Sequence, residues 1–146
     1  MTKQKKAAKV FGTFVISLIG WFAVTLTIVH WWAMTTATES AMGPTEFLLH
    51  EIARNAPHYV YFLVVGSIYA VILDKRASVQ WALLTAALAM CIYALMSRWT
   101  FYERITYLEV GELLVQYALP IAFAGGGALV VHALAARKGP YGNAET

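Results

Sequence analysis

VFGTFVISLIGWFAVTLTIVHWWAM, residues Val10 to Met34, decides the fold class. The stretch carries no charged side chain and exceeds the roughly 20 residues a helix needs to cross a bilayer. Lys3, Lys5, Lys6 and Lys9 precede it, and His30, Trp31 and Trp32 stand near its far end, where amphipathic rings suit the headgroup level. A secretory signal peptide is the competing reading, but its apolar region runs only about 7–15 residues before a small-residue cleavage site. The run here is too long and ends in bulky aromatics, so it reads as a retained first crossing over about 10–34.

The composition of the whole chain agrees. Its 146 residues are 60% hydrophobic and 13% charged, against the roughly 45–50% and 25% of soluble domains. A mean hydropathy of +0.60 calls for an apolar solvent. The formal charge of +3 does not indicate nucleic-acid binding, because the basic residues gather at the ends of apolar runs instead of forming a stripe. Cys91 is the single cysteine and lies within an apolar run, which excludes an intrachain disulfide and leaves it as a small hydrophobe.

Three further crossings follow. Gly43 and Pro44 offer a helix start, and Phe47, Leu48, Leu49 and Ile52 share one side of a short segment while Glu46, His50, Glu51 and Arg54 take the other. That pattern predicts an amphipathic interfacial helix over about 44–55, ended by Pro57. A second crossing over about 58–73 is then short for a standard bilayer. Asp74, Lys75 and Arg76 make a tight polar connection to a third crossing over about 79–97. Arg98 to Glu112 mixes aromatic and charged residues in the manner of an interfacial belt, and a fourth crossing over about 113–136 carries Pro120 and the triplet Gly125, Gly126, Gly127.

The expected fold is therefore an all-α integral membrane protein, four transmembrane helices in an antiparallel bundle forming one membrane domain. Of the 11 Lys and Arg, eight (the four N-terminal lysines, Lys75, Arg76, Arg137 and Lys138) fall on one side of this arrangement. Arg54, Arg98 and Arg104 fall on the other. The excess places both termini in the cytoplasm of a multi-pass cell-membrane protein, the inner membrane in a Gram-negative cell.

Several constellations are candidates for chemistry. His30 and His58 stand at similar depth and are the pair that would hold a b-type haem through two imidazoles. Glu46 and His50, at i, i+4 spacing, present two ligands for a divalent metal on one helix face. The plain alternative for these residues is that they are polar tips in an aromatic belt. The run His50, Glu51, Ile52, Ala53, Arg54 misses the zinc-protease helix H-E-x-x-H by its last residue. Glu109, Glu112 and Gln116 form a polar stripe at the start of the fourth helix, the best pointer to an ion or solute path, with Arg98 or Arg104 as structural partners for its acids. Ser67 and His132 lie at matching depth, as a serine with its base would, although no elbow motif surrounds Ser67.

Small residues are read as packing seams at Ala118, Ala122 and Gly126, at Ala82 with Ala86, and at Gly66 with Ala70. Pro120 and the glycine triplet mark packing or a hinge. No phosphate-cradling G-x-x-x-x-G-K is present. Three functions are expected in order: a non-catalytic subunit or assembly factor of a larger membrane complex, a small haem- or metal-binding redox protein, and an oligomeric solute or ion transporter. The expected partners are the lipid bilayer and other membrane proteins or further copies of the chain.

Overall fold

A computed structural model describes residues 3–35, 43–100 and 114–137, with the side chains at 3, 30–35, 44, 47, 48 and 97–100 outside the described set. These residues form α1 (Lys3–Thr35), α2 (Pro44–Ile72), α3 (Lys75–Thr100), a π-helical turn (Leu114–Ala118) and α4 (Leu119–Arg137). Four stretches, Gln4–Val29, Leu49–Ile72, Lys75–Met96 and Leu114–Arg137, are long and apolar enough to cross a membrane.

The first correction concerns α2. The segments expected at 44–55 and 58–73 are one helix that runs through Pro57, and the apolar stretch it contains, 24 residues, is not short. A proline inside a helix removes one backbone bond and crowds the preceding turn, at about 3 kcal/mol. Here its ring lies on the exposed side, where it displaces no neighbour. Packing on the opposite side holds the two halves in register. Glu51, Asn55, His58, Phe62, Val65 and Tyr69 recur at spacings of four and three, and all six are buried. A break at Pro57 would rotate one half of that stripe away from the other three helices.

The turn between α2 and α3 is tighter than expected. Asp74 caps α3, its carboxylate accepting the Ala77 N–H at 3.3 Å, so Lys75 and Arg76 are already helical. The fourth helix is not interrupted at its glycines, none of which has a positive φ. Its irregularity lies one turn earlier. Pro120 has no N–H to give to the Gln116 carbonyl, and the turn before it widens into the π-helical Leu114–Ala118.

α2 and α4 stand nearly backbone to backbone. A Cβ on Gly66 would lie 1.9 Å from the Ala124 carbonyl oxygen, and one on Gly127 would lie 2.1 Å from the Leu63 carbonyl oxygen. The seam on α4 is thus Pro120, Ala124, Gly127 and Ala128, all buried. The expected series Ala118, Ala122, Gly126 faces outward instead: both alanines are exposed and nothing lies within 4 Å of a Cβ on Gly126. Ala82 and Ala86 on α3 are fully buried, and Gly125 packs against Leu83. Trp81 links α3 to α1 and α2, its ring edge-on to Phe14 at 6.0 Å and stacked with Tyr69 at 6.4 Å.

The two inward glycines and the outward one make a direct comparison. Gly66→Ala and Gly127→Ala each force a carbonyl and its helix to move and should cost about 1–3 kcal/mol, as other overpacked cores do. Gly126→Ala should be neutral or slightly stabilising, since alanine is the better helix former. Thermal unfolding of the three variants in one detergent checks the order.

Candidate functional site

The buried stripe of α2 changes character halfway along. Phe62, Val65 and Tyr69 occupy one half, and Glu51, Asn55 and His58 the other. The polar half meets α1, α3 and the π-helical turn, and this buried polar core is the candidate site.

His58 is buried and its Nε2 lies 3.1 Å from Thr25 Oγ1 on α1. The Thr25 hydroxyl gives its single proton to the Trp21 carbonyl at 3.0 Å. Its oxygen is therefore the acceptor toward His58, so His58 Nε2 carries the hydrogen and Nδ1 keeps the lone pair. From α3, Tyr93 presents its ring edge-on to the imidazole at 6.2 Å. Tyr93 in turn touches Tyr117 of the π-helical turn at 6.0 Å.

Glu51, two turns from His58, has no solvent exposure. Its Oε2 accepts from the Arg54 guanidinium and from Gln116 Nε2, the latter at 3.3 Å. Among the described residues, its Oε1 has no hydrogen-bond partner. Asn55 donates its Nδ2 hydrogen to the Glu51 carbonyl at 2.9 Å, a bond within the helix. Tyr59 donates to the Val115 carbonyl at 3.0 Å and stacks its ring on Phe123 at 5.2 Å, which anchors the π-helical turn to α2.

This arrangement reverses the face expected of residues 44–55. Leu49 and Ile52 are exposed at 62% and 37%, whereas Glu51 and Asn55 point inward. The H-E-x-x-R run serves the same end: Arg54, in the place of the missing histidine, is the ion-pair partner of Glu51. Glu46 is exposed and accepts the Gly43 N–H at 3.3 Å, which caps α2 and directs its carboxylate to the helix start. His50 is half-buried. No three His, Cys, Asp or Glu side chains converge among the described residues. The side chain of His30, and Glu109, Glu112, Arg98 and Arg104, lie outside the described set, so of the polar stripe only Gln116 is placed, against Glu51. For a haem or metal, His58 offers Nδ1 alone, because Nε2 is committed to Thr25.

Ser67 and His132 do not meet. Ser67 Oγ donates to the Leu63 carbonyl at 2.9 Å, and His132 Nε2 lies 2.9 Å from Oγ of Ser78, on α3. The Ser78 hydroxyl gives its proton to the Lys75 carbonyl at 2.9 Å, so it accepts from His132 and has no hydrogen to pass to a base. This Ser–His pair ties two helices; it does not activate a nucleophile.

What the sequence concealed was the inward direction of Glu51 and Asn55. Reading 44–72 as one helix would have revealed it, because the four-and-three spacing passes through Pro57. No protein-family model matches the chain, nor does any curated protein or solved structure.

Double-mutant cycles distinguish the two serines. Pairing His132→Phe with Ser78→Ala should give a coupling energy of about 0.6–1.7 kcal/mol, the range of interhelical hydrogen bonds in membrane proteins, and pairing it with Ser67→Ala should give none.

Proposed function

We propose that this chain is a four-span membrane protein, antiparallel with both termini in the cytoplasm, that acts as a non-catalytic subunit or assembly partner of a larger membrane complex. The bilayer reading is supported by an inside-out distribution of polarity. Ile16, Ile19, Val71 and Leu95 are 65–80% exposed, while Ser17, Thr25, Glu51, Asn55, His58, Ser78 and Thr85 are buried. Water would favour the reverse, and hydrocarbon favours this arrangement.

Contacts between the helices support the order of crossings. Ser17 pairs with Tyr61 and Thr25 with His58, Tyr69 with Thr85 and His58 with Tyr93, Ser78 with His132 and Tyr93 with Tyr117. In each set one helix ascends as the other descends. Lys9, Lys75, Arg76 and Arg137 then share one end, the basic end that the charge rule assigns to the cytoplasm.

The subunit reading is carried by how the interior polar groups are spent. Thr25 and His58, Ser78 and His132, Tyr69 and Thr85, and Tyr59 with the Val115 carbonyl each satisfy one another across a helix seam. Polar side chains used in this way join helices in lipid and leave little for a substrate. The outward series Ala118, Ala122, Gly126 adds a face on which a foreign helix packs closely. Redox and transport functions draw less support, since His58 and His132 each have one ring nitrogen engaged by a hydroxyl on another helix.

Two measurements test this. After Cys91→Ala, an impermeant maleimide should label Thr45→Cys in intact cells, and Lys6→Cys and Arg137→Cys only after permeabilisation; the opposite pattern overturns the orientation. A tagged chain gently solubilised from its native membrane should bring down other membrane proteins in fixed ratio. Gly126→Leu should release them without lowering the melting temperature of the purified chain. A pure homo-oligomer that conducts solute, or a preparation with a haem spectrum, would replace the subunit reading.

A further inference from the structure

Gln80 of α3 is an exposed amide inside the apolar stretch Lys75–Met96. Among the described residues, no hydrogen-bond partner reaches it. Thr27, an exposed hydroxyl of α1, satisfies itself by donating to the Ala23 carbonyl of its own helix at 3.0 Å. The Gln80 amide has two N–H donors and a carbonyl to satisfy, and hydrocarbon offers them nothing.

The neighbours of Gln80 on its own face indicate what does. Arg76, Gln80, Leu84 and Leu88 recur every four residues and are all exposed, whereas Ser78, Ala82, Thr85 and Ala89 are buried. From the basic end inward the exposed stripe thus runs cation, amide, then apolar side chains. Gln80 lies about 6 Å deeper than Arg76 at roughly 1.5 Å per residue. That depth matches the roughly 5–8 Å of polar region on either side of the hydrocarbon core. A diacyl phospholipid presents phosphate, ester carbonyl and acyl chain in the same order over the same depth.

Charge selects the headgroup. Lys75 adjoins Arg76, and Lys5, Lys6, Lys9 and Arg137 are exposed at the same basic end. Asp74 is the acid placed beside them, and its carboxylate is engaged with the Ala77 N–H as the cap of α3. An anionic lipid gains from this end, while a zwitterionic one brings its own cation to it. A second copy of the chain fits poorly, because a two-fold contact through this face would set Arg76 against Arg76.

We propose that the face formed by Arg76, Gln80, Leu84 and Leu88 binds an anionic diacyl phospholipid. Arg76 and Lys75 hold the phosphate, the Gln80 amide donates to an ester carbonyl, and an acyl chain lies along Leu84 and Leu88. Such a site presupposes insertion in a bilayer with the basic ends together; it does not depend on the subunit role.

The test uses the full chain in mild detergent, with retained lipid counted by native mass spectrometry. Dioleoyl phosphatidylglycerol should be retained in preference to dioleoyl phosphatidylcholine. Arg76→Ala and Gln80→Leu, both at exposed positions, should each lower that retention about fivefold, the weight of one interfacial charge or one hydrogen bond. Lys5→Ala removes the same charge from α1 and should leave retention unchanged. Ether-linked phosphatidylglycerol lacks the ester carbonyl, so it should bind the natural chain as weakly as the ester lipid binds Gln80→Leu. Equal retention of the two headgroups, or an equal loss from Lys5→Ala and Arg76→Ala, would reveal only diffuse attraction and overturn the proposal. Ester and ether lipids held alike by the natural chain would overturn the Gln80 contact. A co-purifying protein released by Gln80→Leu, with lipid retention unchanged, would give this face to a protein and overturn the lipid site. Failure of the natural chain to float with phosphatidylcholine vesicles after an alkaline wash would instead overturn the bilayer placement, and that result is separate from headgroup preference.

Discussion

Two backbone carbonyls set the distance between α2 and α4. Gly66 faces the Ala124 oxygen and Gly127 faces the Leu63 oxygen, each so near that a single methyl group has no room. Helices that approach this closely replace side-chain interdigitation by backbone contact, the mode favoured where lipid tails give no hydrophobic drive toward association. The other helices arrange themselves around this pair. α3 lays Ala82 and Ala86 against it, and α1 reaches it through Trp21 and Thr25.

The same closeness explains why the polar groups are arranged as they are. With α2 and α4 in register, Tyr59 meets the Val115 carbonyl and Glu51 meets Gln116. The π-helical turn is the geometric consequence of Pro120, and it presents Val115, Gln116 and Tyr117 to α2 and α3 from one short segment. A proline that removes one hydrogen bond thus directs three residues toward the polar core. Hydroxyl groups complete the arrangement by a simple rule of one proton each. Thr25 and Ser78 both give theirs to a backbone carbonyl within their own helix and accept from a histidine on another. Such a pair holds helices together and fixes the histidine tautomer, without the free hydroxyl hydrogen that a nucleophile would need.

Much of the architecture could be read from residue order, and the misreadings share a cause. The four apolar runs were evident because length and absence of charge are properties of a segment taken alone. Read by its usual local effect, Pro57 is a boundary, which divides one helix into two and puts Glu51 on an outer polar face. Four-residue spacing of small residues is satisfied by Ala118, Ala122 and Gly126 as well as by Ala124 and Ala128; spacing identifies a stripe and does not say which side of the helix meets a neighbour. Depth alone matches Ser67 to His132, although rotation about the helix axis brings Ser78 there instead.

By itself the sequence determined that the chain is helical and that it holds four long apolar stretches. These follow from hydropathy and the absence of charge counted along the chain, and they need no knowledge of neighbours. Only the tertiary structure decided that α2 continues through Pro57, that Glu51 is buried against Arg54 and Gln116, and that His58 and His132 are each given to a hydroxyl on another helix. Those outcomes depend on how each helix is turned about its own axis. That angle is set by packing among four helices at once, above all by the two glycines that let α2 and α4 touch.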